Sequence, residues 1–252
     1  YVLVQSTSTT DPVWDKIQQT KVIKVGTDPT WPPYQLRDDH QNIVGFEVDL
    51  ANECAAKLGL TIEWNDVTFD NIILSVQNGQ LDMGVSGFSV TKERLEQVSF
   101  TLPHSTTVGQ IVMLTSEMEA RHIDPSTIHS LADVKALGIT VGVQDQNVQQ
   151  VELNDATIPI RSWPDSAAPF EDMVSANPSV QAVYAETPIT TSWIATFAEQ
   201  GKPVSVLYQH PYYPVSFLTA KGSQTLLDQI NGALAELIYD GTVDHLKAKW
   251  NA

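Results

Sequence analysis

LDMGVSGFSVTKER, residues 81–94, begins as an apolar run suited to a buried strand, passes through a turn of small residues and sets an arginine into the first turn of a helix. Thr91 suits the N-cap, which puts Arg94 near the third helical position. A cation there opposes the helix's own partial positive charge by about 0.3–1 kcal/mol. An external anion reverses that penalty, because it can accept from the guanidinium fork, from the Ser89 hydroxyl and from backbone N–H groups around Gly87 and Ser89. The other reading is an exposed arginine paired with Glu93 or Glu96, an arrangement that contributes little.

An upstream stretch is built the same way. Val22 to Val25 is β-rich and breaks at Gly26-Thr27-Asp28, ahead of the aromatic, proline-stiffened run Trp31-Pro32-Pro33-Tyr34. After a turn from Asp38 to Asn42, Val44-Gly45-Phe46 leads into a helix. Its positions Val48, Leu50, Ala51, Cys54, Ala55 and Leu58 form an apolar face, and it stops at Gly59. Thr61 to Trp64, Phe69 to Gln77 and Leu81 to Val85 then read as strand, helix and strand, the alternation of an α/β fold with a parallel sheet. Ligands in such sheets sit beyond the carboxyl ends of strands. Asp28 to Trp31 and Gly87 to Arg94 both lie there.

Downstream, Leu131 to Val134 and Leu137 precede a strand from Ile139 to Val143, a loop Gln144-Asp145-Gln146-Asn147 and a polar helical stretch. Val180 to Ala185 reads as a strand that ends in Glu186, with Thr187 as N-cap and Pro188 at the first helical position. Glu186 is either a cleft residue or simply an acid well placed at a helix N-terminus.

Composition narrows the function classes. The 252 residues carry 14 basic and 30 acidic side chains, a formal net charge of −16. No Lys/Arg cluster offsets that charge, which argues against general nucleic-acid binding and against an anionic membrane surface. The single cysteine, Cys54, rules out an internal disulfide and reads as a core hydrophobe. The six histidines are scattered, so no metal site is expected. No cofactor is expected either: phosphate loop, dinucleotide fingerprint and Ser-His-Asp order are all missing, and no apolar run is long enough to span a membrane.

Four segments carry a resemblance that spans roughly Val22 to Trp250. They are GTDPTWPPY, GFEVDLANECAAKLG, DNIILSVQNGQLDMGVSGFSVTKER with the VSFT that follows, and INGALAELIYDGTVDHLKAKW. Together they resemble the periplasmic substrate-binding proteins of polar amino-acid ABC transporters, solute-binding protein family 3. The resemblance implies a two-lobed periplasmic-binding-protein fold of type II, each lobe a mainly parallel sheet flanked by helices, joined by two crossing strands near His104 to Val108 and Gln209 to Tyr213. The lobes implied are 21–106 plus 213–252 and 107–212, preceded by a tether and short helix over 1–20.

It also implies a ligand site, no catalytic residue and a monomer that delivers a polar, basic or amide L-amino acid to a membrane permease. Arg94 with Gly87 and Ser89 would hold the ligand carboxylate from one lobe; Glu186, where relatives usually carry aspartate, would hold the ammonium from the other. Asp28 matches a position that bonds a polar or cationic ligand group. Trp31 and Phe69 match positions that sandwich the ligand side chain. The alternatives are a turn residue, a proline-packed surface aromatic and a helix-start core residue. Many relatives have a glycine-threonine-threonine turn where this chain has Gln146-Asn147, so Asn147 and the Val148 N–H would substitute. Gln144 lies where some relatives recognise the side chain. A solvated polar turn is the other reading of 144–147.

Localisation follows from the resemblance: a periplasmic or extracellular protein tethered as a lipoprotein, with the Ser/Thr tract of YVLVQSTSTT as tether and no signal peptide visible. Two other classes fit the same fold. One is the cyclohexadienyl (arogenate or prephenate) dehydratases, which use a second-lobe carboxylate as general acid. Against it, VQDQNVQQ stands where such enzymes show a glycine-glycine-threonine-asparagine-glutamate loop. The other is the ligand-binding ectodomain of a sensor.

Overall fold

A computed structural model describes residues 11–187 and 189–252. The Ser/Thr tract and Pro188 lie outside them, and so do the expectations placed on them. The chain opens with α1 (Pro12–Thr20), then β1 (Val22–Thr27), the three short strands β2 (Thr30–Trp31), β3 (Gln35–Arg37) and β4 (Ile43–Val44), and α2 (Phe46–Lys57). It continues through β5 (Thr61–Asp66), α3 (Phe69–Gln77), β6 (Met83–Gly84), α4 (Lys92–Gln97) and β7 (Val98–Phe100). The middle of the chain holds β8 (Ser105–Leu114), α5 (Thr115–Ala120), α6 (Leu131–Ala136), β9 (Val141–Gln144), α7 (Val148–Asp155), β10 (Ile160–Trp163), α8 (Ala168–Met173), β11 (Ala182–Glu186), α9 (Ile189–Glu199) and β12 (Val204–Val215). β13 (Leu218–Ala220), α10 (Gln224–Tyr239) and α11 (Thr242–Trp250) close it.

Two five-stranded sheets result, ordered β5-β1-β6-β13-β7 and β10-β9-β11-β8-β12. In each, four strands share one direction and one opposes them: β13 in the first, β8 in the second. Helices supply the apolar faces that bury the sheets. The first core gathers Ile23 and Val25 of β1, Phe46, Leu50 and Cys54 of α2, and Ile230 and Leu234 of α10. The second gathers Val141 and Val143 of β9, Leu153 of α7 and Tyr184 of β11. Cys54 is buried in the first core, and burial pushes its thiol up to about 12, as a structural cysteine requires.

Sheet membership changes between Phe100 and Ser105 and again between Val215 and Leu218. β8 and β12 pair as one long antiparallel ribbon, from Ser105 opposite Val215 to Leu114 opposite Val204. The two passages are bonded to each other, His104 N–H to Val215 O at 3.1 Å and Thr101 N–H to Phe217 O at 3.0 Å. They form a double connection, but not where the resemblance implied it: Ser105 to Val108 and Gln209 to Val215 belong to the β8–β12 ribbon of the second sheet, so the passages are 101–104 and 216–217.

Strand limits differ from the sequence reading by at most two residues. β1 runs on through Gly26 and Thr27, where a break was expected, because parallel pairing with β5 continues to Thr27 opposite Asp66. The strands expected at 81–85, 139–143 and 180–185 are Met83–Gly84, Val141–Gln144 and Ala182–Glu186. Apolar runs mark burial, while the ladder forms only where a neighbour strand is in register.

The short helix expected beside a tether is docked into the first core. Ile17 is fully buried, and Lys16 Nζ meets Asp82 Oδ1 at 2.5 Å. Asp11 ties this helix to α10. Its Oδ1 accepts from Val13 and Trp14 N–H, both at 3.1 Å, and caps α1. Its Oδ2 accepts from Thr225 N–H at 3.0 Å and Leu226 N–H at 3.2 Å, where Ser223 gives α10 no side-chain cap. A cap contributes about 1 kcal/mol. Asp11→Ala is therefore expected to lower the unfolding free energy by about 2 kcal/mol in urea titration. A loss no larger than that of one cap would mean that α10 does not depend on this carboxylate.

Candidate functional site

α4 starts as its sequence implies. Thr91 Oγ1 accepts from Arg94 N–H at 3.2 Å, fixing Arg94 at the third helical position. The residue is 7% exposed and forms no salt bridge among the described residues, so the exposed pairing with Glu93 or Glu96 does not occur. Its guanidinium donates instead to two backbone carbonyls, Ser89 O and Gln146 O, each at 3.0 Å. It lies over the rings of Phe69 and Phe88 at 5.4 and 5.6 Å. Burial pushes its pKa down to about 10, which still leaves a full cation at neutral pH. Three of its five donors remain.

Glu186 ends β11 on the other sheet, also buried. Its Oε1 accepts from Ser89 Oγ at 2.7 Å and Gln149 Nε2 at 2.9 Å, and its Oε2 from Thr107 Oγ1. Burial raises its pKa; the three donors and the Arg94 charge pull the other way. The Ser89 hydroxyl, expected to be offered to an anion, is thus used to hold this carboxylate across the cleft. Thr187, expected as an N-cap, accepts at its Oγ1 from Val108 N–H at 3.0 Å.

Asp28 sits just past β1. Its N–H donates to Ser86 Oγ at 3.0 Å, while its Oδ2 accepts from Phe69 N–H at 3.1 Å and from Gln144 Nε2 at 3.3 Å. Burial is the largest influence on its carboxyl and raises the pKa to about 6. Gln144 is accordingly no solvated turn residue: it spans the cleft and also donates to Pro164 O at 3.1 Å. Asn147 is the N-cap of α7, its Oδ1 accepting from Gln150 N–H at 2.8 Å. That oxygen is spent locally, and only the amide NH2 is left for another partner.

Gly87 has φ +63°, and a Cβ built on it would stand 2.3 Å from Trp31 Cζ3. Backbone conformation and contact with the indole both require glycine here. Trp31 in turn is stacked at a tilt on Tyr34, with centroids 4.6 Å apart.

All ten residues expected in the site, Asp28, Trp31, Phe69, Gly87, Ser89, Arg94, Gln144, Asn147, Val148 and Glu186, line one cavity between the sheets. Its volume is about 40 Å³, against about 300–1,000 Å³ for typical small-molecule sites. Side chains of the two sheets already touch across it. The residues missed by sequence reading are mainly the small polar ones that make these contacts. Ser166 N–H and Oγ meet Thr30 Oγ1 at 3.4 and 3.2 Å, and Gln149 reaches Glu186 from the first turn of α7. Short hydroxyl and amide residues in loops carry no periodic signal that would single them out. Among the described residues no cluster of acidic, histidine or cysteine side chains could hold a metal ion, and no helix is long and apolar enough to cross a membrane.

The geometry has close counterparts. ABC transporter arginine-binding protein 1 of Escherichia coli (strain K12) is 25% identical over 232 residues, covering 90% of this chain and 90% of that protein. The structure of an ancestral arginine-binding protein bound to arginine matches 92% of this chain and 99% of its own, with TM-score 0.80 and 31% identity. An ancestral amino-acid-binding protein, AncCDT-1, described as a precursor of cyclohexadienyl dehydratase, matches 94% of this chain and 98% of its own at TM-score 0.80 and 28% identity. Residues 23–252 match the bacterial extracellular solute-binding proteins, family 3, and the chain belongs to that family.

Proposed function

We propose that this chain captures a polar L-amino acid between lobes 21–106 plus 213–252 and 107–212, outside the cytoplasm, and passes it as a monomer to the permease of an ABC transporter. The observation that carries the reading is a cation on α4 and an anion at the end of β11, Arg94 and Glu186, lining one cavity without a salt bridge between them. The remaining guanidinium donors, with the Val148 N–H, take the ligand carboxylate. Glu186 takes the ammonium. Asp28 and Gln144 meet a cationic or amide side-chain group, between Trp31 and Phe69. The named relatives support an amino acid as the cargo, and a lipid anchor ahead of residue 11 suits an extracytoplasmic receptor.

Capture and release follow from the double connection. The lobes part about 101–104 and 216–217 to admit ligand into a cavity otherwise too small for it. Closure then buries the charge pairs where water screens them little. A dissociation constant near micromolar, about −8 kcal/mol, is expected after ordering and desolvation costs.

A thermal-shift screen against the twenty amino acids identifies the ligand, since one that binds only the folded protein raises its melting temperature. No shift with any of them contradicts the reading. With the ligand in hand, Arg94→Ala should weaken binding about 100-fold or more in calorimetry, the loss expected for a buried charge contact; near-native affinity removes the carboxylate role. Glu186→Gln should weaken the amino acid far more than its deaminated analogue, and equal losses remove the ammonium role.

Asp28 adds a pH signature. Its carboxyl is ionised above about 6, so L-arginine should bind progressively worse below that pH, and L-glutamine should not follow. Glu186 and the ligand backbone groups are common to both ligands, so the ratio of the two affinities isolates Asp28. A ratio that stays constant from pH 7.5 to 5 would show that Asp28 meets no cation.

A further inference from the structure

Glu47 is a fully buried carboxylate that plays no part in the ligand contacts described above. It lies in the first turn of α2, where an acid is favoured by the helix dipole, yet loops close over it and remove it from water. Its Oε2 accepts from Gln35 Nε2 at 2.5 Å and from Gly87 N–H at 2.7 Å. Its Oε1 stands 3.0 Å from His104 Nε2, a close contact without hydrogen-bond geometry, both side chains being 0% exposed. His104 is held between the rings of Phe46 and Phe217, centroids 5.8 and 4.8 Å away.

Two of these partners belong to the moving and binding parts of the molecule. Gly87 lines the cavity, and its loop is the one whose Ser86 hydroxyl holds Asp28 and whose Ser89 carbonyl and hydroxyl hold Arg94 and Glu186. His104 immediately precedes β8, and its N–H is bonded to the returning strand at Val215 O. A buried charge needs its partners with good geometry, and removing it strands every donor aimed at it.

We propose that Glu47 is a positioning residue for the ligand site, clamping the Gly87 loop to the point where the chain crosses between lobes. With the clamp intact, the loop and the crossing move as one body when the cleft closes. Without it, the Gly87 N–H loses its acceptor and the loop is free to tilt away from Arg94 and Glu186.

The test is Glu47→Gln, which keeps the volume and removes the charge. Its affinity arm rests on the amino-acid reading and uses the amino acid identified in the thermal screen. The expected result is at least tenfold weaker binding, measured well below the melting temperature. Val48→Ala, on the same helix turn and buried but outside the clamp, should lower the melting temperature while leaving affinity unchanged. The second arm needs no ligand: the Gly87 amide proton, donated to a carboxylate, should resonate upfield in Glu47→Gln relative to the unaltered protein. Should that variant fail to fold, Glu47→Asp draws the carboxylate back by one methylene and should weaken binding several-fold with the same displacement of the Gly87 signal. An undisturbed Gly87 resonance in a folded variant overturns the proposal, as does affinity lost only in step with Val48→Ala. If no amino acid binds the unaltered protein, the functional reading fails while the resonance still decides the clamp.

Discussion

Two buried, oppositely charged side chains that do not pair with each other set the terms for the whole structure. Each would be costly in isolation, and each is kept ionisable by neutral donors or acceptors instead of by a counter-ion. Arg94 has the carbonyls of Ser89 and Gln146; Glu186 has Ser89, Gln149 and Thr107. A protein that only needed stability would let the pair collapse into a salt bridge or replace it with hydrocarbon. Holding the charges apart, on α4 and at the end of β11, makes sense when a third, dipolar body is to complete both.

That arrangement needs a scaffold able to separate and reunite the two sheets without losing register. The β8–β12 ribbon and the bonds between its two passages provide it: the crossings are tied to one another, so the lobes can swing but not slide. Much of the first lobe's architecture reinforces this. Asp11 locks α1 to α10, and Glu47 joins the cleft loop to the crossing. The cross-cleft contacts of Thr30 with Ser166 and of Asp28 with Gln144 are hydrogen bonds and not ion pairs, contributing about 1–3 kcal/mol each. They break readily when the lobes part.

The parts of this design legible in the sequence are those encoded by local pattern. The helix Phe69–Gln77 has the limits its apolar spacing implies, and the Thr91 cap puts Arg94 where the first-turn reading requires. The positions carried over from the family resemblance fall together around one cavity. What stayed hidden depends on long-range geometry. Nothing near Asp11 says that it caps a helix over two hundred residues away. Glu47 looks like an ordinary first-turn acid until Gln35, Gly87 and His104 close over it. Gln149 and Ser166 sit in stretches whose polarity is equally consistent with solvent. Strand ends shifted for a related reason: β6 is two residues long inside a longer apolar run, because a ladder forms only where a neighbouring strand is in register, not from hydrophobicity alone.

A crystal structure of the protein with its tightest-binding amino acid tests the central claim most directly. The account predicts the ligand carboxylate within hydrogen-bonding distance of the Arg94 guanidinium and the ammonium within the same reach of Glu186, with both lobes in contact with one molecule. A ligand lying in the opposite sense, or seated against one lobe with these two charges unengaged, would contradict it.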